Sequence, residues 1–295
     1  MRTLRLIAEE HITYVPHHVA QHLGLFAEHG LTIDVNYNSG PGGSWLADVL
    51  AEGRADIARG GVWIPLMYRG RLEEIRIFAQ LCGFNTQVLI ARGPQPRFKW
   101  SDLYGKKVLL PASSTSQWMF FKGVLREAGI DTGRITFIRD LDESTTNRLW
   151  RSGFTDYYLT YSPLAEELLN EGFHVAADFS LMAGEVPWSV YYTAPRVLSE
   201  RRSDITGFVA ALSAAARWME SHTGADIAKL IAPDFKAVSV SVLAASIDRM
   251  KSHGTWSPDL RVRPEPFMRY QGMIAAYGLI ETPVAYDDII DTQSL

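Results

Sequence analysis

The stretch EEHITYVPHHVAQHLGLF, residues 9–26, holds four histidines. His18 and His22 stand at i,i+4, the spacing of a two-histidine metal half-site. The zinc-hydrolase version of that spacing needs a glutamate directly after the first histidine, and here Val19 and Ala20 follow. No third ligand is evident, so no metal and no cofactor is expected. On a helical wheel over 16–29, Val15, Val19, Leu23 and Phe26 share the apolar face. His18, His22 and His29 fall on the opposite flank and are expected to be solvated. His11 is different, because it sits in the loop directly after the first predicted strand. Ligands of α/β sheets bind beyond the carboxyl ends of strands. Glu9, Glu10, His11 and Tyr14 are therefore candidates for a pocket wall. If the chain is an enzyme, His11 is the candidate general acid or base and Arg59 the residue holding a substrate acid group.

The other strand ends supply further candidates. In the loop NSGPGGS, Gly40, Gly42 and Gly43 let backbone approach a ligand, and Ser44 begins a helix whose free N–H groups favour an anionic group. The next strand end offers Arg59, Gly60 and Trp63. Later, PASSTSQW places Ser113, Ser114 and Thr115 before a helix, an arrangement suited to anion binding or to ordinary capping. Trp63, Trp118, Trp188 and Tyr14 supply flat apolar surfaces for a planar ligand, or plain core. Glu185 could accept a hydrogen bond from a ring N–H. Cys82, the only cysteine, excludes an internal disulfide and reads as a buried, inert thiol.

These residues need a scaffold, and the chain can build one. Its 295 residues are 47% hydrophobic, enough for one large core or two smaller ones. A net charge of −4 argues against a nucleic-acid partner. No apolar run reaches membrane-spanning length, so no membrane insertion is expected. The start, MRTLRLIAEEH, has no apolar leader core or cleavage pattern. It predicts a cytoplasmic protein if Met1 is the native start and a periplasmic one if a leader has been removed.

Strand and helix signals alternate. TLRLIA, LTIDVNY and ADIARGG read as strands, separated by helices over 16–29 and 44–52 and followed by one over 64–69. A second unit runs through KKVLLP, a helix over 116–128, ITFIRD, a helix near 144–151, TDYYLT, the helical PLAEELLNEG and HVAADF. LAEGRADIARGG and LWRSGFTDYYLT form a weak internal repeat, each passing from a helix end through Gly and Asp into a strand. After the strand VPWSVYYTAP the chain is helical, over 203–221, 223–231, 239–252 and 264–277. Those helices are expected to return over the first unit. The prediction is an α/β, two-lobed fold: residues 1–92 as the first part of lobe one, 93–190 as lobe two, and 191–295 as the helical return. The chain would cross between lobes near 92–104 and near 186–195, leaving a ligand cleft that closes by hinge motion.

PHHVAQHLGLFAEHGLTIDV, EGRADIARGG, DLYGKKVLLP and GEVPWSVYYTAPRVL together resemble the type 2 periplasmic binding proteins. More narrowly, the chain resembles the group containing nitrate-, taurine- and alkanesulfonate-binding proteins and the thiamine-pyrimidine synthases. The resemblance spans nearly the whole chain and implies a small-molecule ligand and, as partners, the permease subunits of an ABC-type importer. It also raises two enzymes. The yeast-type pyrimidine synthase uses a lysine and a histidine just after the strand matching DIARGG, and a cysteine cluster. This chain has Arg59, Gly60, Gly61 and Trp63 there. The hydroxybiphenyl sulfinate desulfinase has an Arg-x-Gly-Gly stretch similar to ARGGVWIP, but its nucleophilic cysteine falls close to His11. The expected function is a solute-binding protein for a small planar, aromatic or heteroaromatic, acid-bearing ligand. The alternative is a desulfinase-like or decarboxylase-like enzyme on the same fold.

Overall fold

A computed structural model describes residues 1–37, 45–71, 74–111 and 115–295, with the backbone alone for Thr115 and Glu143. In chain order the strands are β1 (Arg2–Ala8), β2 (Leu31–Tyr37), β3 (Ile57–Gly61), β4 (Arg76–Phe84), β5 (Gln87–Ala91), β6 (Lys107–Leu109), β7 (Thr136–Ile138), β8 (Tyr157–Tyr161), β9 (His174–Asp178) and β10 (Glu185–Thr193). The helices are α1 (Val15–His22), α2 (Leu25–Glu28), α3 (Trp45–Ala51), α4 (Trp63–Tyr68), α5 (Thr115–Glu127), α6 (Glu143–Arg151), α7 (Leu164–Asn170), α8 (Phe179–Met182), α9 (Pro195–Glu200), α10 (Arg202–Glu220), α11 (Gly224–Ile231), α12 (Val240–Ser252) and α13 (Pro264–Ala275). No helix among the described residues is long and apolar enough to cross a membrane.

Two five-stranded sheets form, in the orders β2-β1-β3-β10-β4 and β7-β6-β8-β5-β9. In each, three strands are parallel, as right-handed βαβ units require, and a fourth runs antiparallel to its neighbours after arriving from the other half of the chain. The weak repeat in the sequence has a physical cause. Gly53 and Gly153 end their helices with φ of 67° and 83°, a left-handed conformation that costs glycine no Cβ clash. Three residues on, Asp56 accepts the backbone N–H of Arg5 on β1 at 2.9 Å, and Asp156 accepts that of Lys107 on β6 at 2.8 Å. The two aspartates lock β3 and β8 into register with their neighbours. The glycine–aspartate motif is thus a device for building sheets, not for binding ligand.

The crossings between sheets lie earlier than the sequence suggests. β5 belongs to the second sheet, so the chain first passes over at residues 85 and 86, not at 92–104; β10 belongs to the first, so the return lies between Asp178 and Glu185, not at 186–195. β4 and β5 carry no alternating strand signal because both of their faces are covered. RIFAQLCGF and QVLIA are almost continuously buried and show no in–out alternation. The helical return also differs from expectation. α10 and α11 do cover α1 of the first lobe, but α12 reaches α7, and α13 packs on α5 of the second lobe.

The helix expected over 16–29 is broken into a 3-10 turn (Ile12–Tyr14), α1 and α2, with Gly24 at φ 72° between the two helices. His18 is not solvated. It is 1% exposed, covered by the helical return, and its Nδ1 lies 2.7 Å from Asp234 Oδ2; His22 Nε2 shares the same oxygen at 2.9 Å. Neighbouring His17 is fully buried, with Nδ1 2.9 Å from the Tyr191 hydroxyl. These histidines are polar ties between α1 and the elements laid over it. Among the described residues no group of three or more His, Cys, Asp or Glu could hold a metal ion.

Candidate ligand cleft between the two sheets

A cavity of about 70 Å³ lies where the strand tips of the two lobes meet. Its first-lobe wall comes from the turn after β1 (Glu9, His11, Thr13, Tyr14) and from the end of β3 (Gly61, Trp63). Ser116 and Gln117, at the start of α5, face them from the second lobe. Trp188 and Ser189 on β10 form the floor, and Tyr270 of α13 closes one side. The register of β10 against β4 shifts on both sides of Ser189, an irregularity of the kind that re-aims side chains beside binding sites.

The turn after β1 is shaped by His11 itself. Its ring caps the 3-10 turn, because the Thr13 backbone N–H donates to His11 Nδ1 at 3.2 Å. That bond places the imidazole proton on Nε2. Across the cleft the ring packs on Tyr161, the last residue of β8, with centroids 4.8 Å apart. Burial, with the nearby charge of Arg59, pushes the His11 pKa down to about 4. At neutral pH His11 is therefore an uncharged hydrogen-bond donor, not a proton acceptor. Burial pushes the Glu9 carboxyl above the usual range while Arg59 opposes the rise.

Arg59 is the source of that field. It is 0% exposed on β3, with Cζ 4.0 Å from the centre of the Tyr14 ring and Nη2 donating to the Glu9 carbonyl at 3.0 Å. Its Nε and Nη1 have no hydrogen-bond partner among the described residues, and no described carboxylate lies within ion-pair distance. Tyr14 is itself buried. A guanidinium thus sits one aromatic ring behind the cavity wall.

The aromatic walls depend on close backbone approach. A Cβ on Gly61 would stand 2.5 Å from the Trp63 indole, so only glycine lets that ring lie against the strand end. Trp188 is braced by Phe120 at 5.4 Å and Tyr270 at 6.5 Å between ring centres.

Of the residues singled out in the sequence, His11, Tyr14, Trp63 and Trp188 meet around this cavity. Arg59 stands behind it rather than in it. Gly60 faces away: a Cβ there would meet Leu46 at 2.9 Å and Ile64 at 3.0 Å, so it serves core packing. Glu10 is exposed, while its neighbour Glu9 turns inward. Glu185 lies in a separate polar recess with Gln80 and Thr255, where Arg263 Nε donates to its Oε1 at 2.6 Å. Trp118 packs on Phe137 with ring centres 4.3 Å apart and does not line the cavity. Ser39, Gly40, Gly42, Gly43, Ser44, Ser113 and Ser114 lie outside the described residues, as does the side chain of Thr115. Cys82 is buried, its thiol donates to the Phe84 carbonyl at 3.0 Å, and burial pushes its pKa up to about 12. Thr13, Ser116, Gln117, Ser189 and Tyr270 are lining residues that sequence reasoning missed. Ser116 and Gln117 directly follow the hydroxyl-rich loop of PASSTSQW, whereas Tyr270 arrives from a distant helix and carries no local signal.

Comparison with known proteins places this geometry. YtlA of Bacillus subtilis (strain 168), which carries a provisional binding-protein name, is 28% identical over 286 residues, covering 96% of this chain and 85% of that protein. Among solved structures, the periplasmic aliphatic sulphonate binding protein SsuA from Escherichia coli superposes with a TM-score of 0.73 at 19% identity, over 94% of this chain and 92% of that one. The desulfurization enzyme DSZB superposes with a TM-score of 0.70 at 15% identity, over 100% of this chain and 97% of that one. The two-lobed fold is thus that of the type 2 periplasmic binding proteins. The sequence profile described as NMT1/THI5 like matches residues 11–224, and the chain belongs to that family.

Proposed function

We propose that this protein is a solute-binding protein whose cleft encloses a small planar ligand carrying an acid group. The observation that carries the reading is the pairing of an aromatic-walled cavity with a buried guanidinium that no described carboxylate neutralises. A buried cation without a partner is costly. A ligand anion in the cleft would relieve that cost, and the neutral His11 would donate its Nε2–H to the same acid group. Tyr14, Trp63 and Trp188 offer faces and edges for a ring. The His11–Tyr161 contact spans the two lobes, so the present cleft is nearly shut and hinge opening would admit the ligand.

An enzyme on this scaffold is the second reading, supported by the fold shared with DSZB. The residues speak against it. The only thiol is buried and held protonated, and the His11 Nδ1 lone pair is already engaged. If the protein is exported, as periplasmic proteins of this fold are, permease subunits of an importer are the natural partners.

The test is a thermal-shift and calorimetric screen with benzoate, benzenesulfonate, benzenesulfinate and a pyrimidine carboxylate, followed by recovery of the compound. The expected result is saturable stabilisation with the compound unchanged. Turnover of any of these acids that disappears in His11→Ala would overturn the binding-protein reading in favour of the enzyme.

A further inference from the structure

The second lobe has a strand-tip pocket of its own, of about 470 Å³, which none of the readings above uses. Its position follows from the internal repeat. Arg5 on β1 corresponds to Lys107 on β6, and Asp56 before β3 to Asp156 before β8, by the matching aspartate bonds. Four residues beyond the first pair stand Glu9 and Pro111; five beyond the second stand Gly61 and Tyr161. Glu9 and Gly61 line the central cleft, while Pro111 and Tyr161 line the second-lobe pocket. The pocket is therefore the second lobe's equivalent of the first lobe's cleft wall, at the place where α/β sheets bind ligands. The two spaces share one partition, the His11–Tyr161 ring pair: His11 faces the cleft and Tyr161 the pocket.

Size makes the two spaces complementary. The central cavity alone is far below the ~300–1000 Å³ of pockets that enclose small-molecule ligands, and the second-lobe pocket falls within that range. Its chemistry differs from that of the cleft. Asn147 of α6 accepts the Tyr158 hydroxyl at 3.3 Å through Oδ1, which leaves its Nδ2–H groups as the part available to a ligand. Thr160, on β8, adds a buried hydroxyl-bearing side chain to the lining. Charge is confined to the exposed rim, where Arg151 is already bound to Glu171 at 3.0 Å. The lining suits a neutral hydrogen-bonding group, not a second anion.

We propose, resting on the reading of the cleft as a site for a ring acid, that the two spaces form one bipartite site. The ligand would be an aromatic acid with a neutral polar tail, such as an amide, that passes the His11–Tyr161 pair and binds Asn147 and Thr160. The experiment compares benzoate, 4-acetamidobenzoate and the apolar isostere 4-isobutylbenzoate by calorimetry. The native protein is expected to bind the acetamido compound about tenfold more tightly than either other acid, the gain of roughly one well-made hydrogen-bonded group. Asn147→Ala or Thr160→Val should bring that gain down to about threefold or less, while affinity for benzoate stays within about twofold. Equal binding of the three acids, or a gain that survives both substitutions, overturns the bipartite site and leaves the cleft reading standing. Failure of all three acids to bind overturns both.

Discussion

Two arginines, one half-buried and one fully buried, show how the molecule separates structure from recognition. Arg249, on α12 behind the hinge, is fully matched. Its Nε donates to Glu166 Oε1 at 2.6 Å and its Nη1 lies 3.6 Å from Asp178 Oδ2, while His253 and Ser180 complete the cluster around Asp178. This cluster ties the helical return to the second lobe. Arg59, at the front of the hinge, is more deeply buried and yet, among the described residues, meets the Tyr14 ring, the Glu9 carbonyl and neighbouring tyrosines but no carboxylate at ion-pair distance. A charge that serves the fold is neutralised by the fold. A charge left unmatched at a cleft wall is available to whatever enters the cleft.

Substitution separates the two roles most sharply at Arg249. Arg249→Met strands two buried carboxylates and should cost about 2–4 kcal/mol of stability, seen as a lower midpoint in denaturant with ligand affinity retained. Arg59→Met strands no ion-paired carboxylate, only the Glu9 carbonyl that accepts from Nη2. Its stability should change by about 1 kcal/mol or less, because the guanidinium had little to lose.

Burial, reinforced by the charge of Arg59, also leaves a pH signature on this side of the hinge. In the folded protein, burial and Arg59 hold His11 near pKa 4 and keep His17 well below its ordinary 6.5; burial likewise lowers His18, although Asp234 opposes the shift. In the unfolded chain these rings take up protons near pH 6.5, before the folded protein does. Stability should therefore be complete above about pH 6.5 and fall as pH drops toward 4, by about 2–3 kcal/mol for His11 alone. Denaturant midpoints measured across that range would show the slope, and His11→Gln should flatten part of it. A stability that rises on acidification would contradict the assignment.

Smaller effects sharpen the picture of the cleft. Trp63→Ala should weaken binding of an aromatic acid by about five- to tenfold, the worth of one aromatic wall. Gly61→Ala should act in the same direction, because its methyl group would displace the indole. Both are read by calorimetry, and full affinity in either variant would remove Trp63 from the site.

Much of this could be read from the sequence, for identifiable reasons. The repeat was visible because its glycine and aspartate do a local job that leaves a local signature. His11, Tyr14, Trp63 and Trp188 could be placed at the cleft because strand ends are predictable from alternation. What escaped notice depends on contacts distant in sequence. β4 and β5 lack alternation because both faces are buried, and that misplaced the crossings. His18 looked like helix surface because a wheel assumes one wet face, whereas α10 and α11 cover it and Asp234 and Tyr191 supply partners for the histidines of α1. Tyr270 could not be assigned to the cleft until α13 was seen to pack on α5. The end of β3 is legible in the sequence, but only the structure separates a guanidinium behind the wall from one within it.

The central claim is that Arg59 confers a preference for acids on an aromatic cleft. The most direct measurement is a calorimetric titration of benzenesulfonate and its neutral isostere, phenyl methyl sulfone, into the native protein and Arg59→Met. The account predicts 1:1 binding with the acid favoured about tenfold or more over the sulfone, and loss of that preference in the variant. Equal affinity for the two compounds, or a preference that survives the substitution, would contradict it.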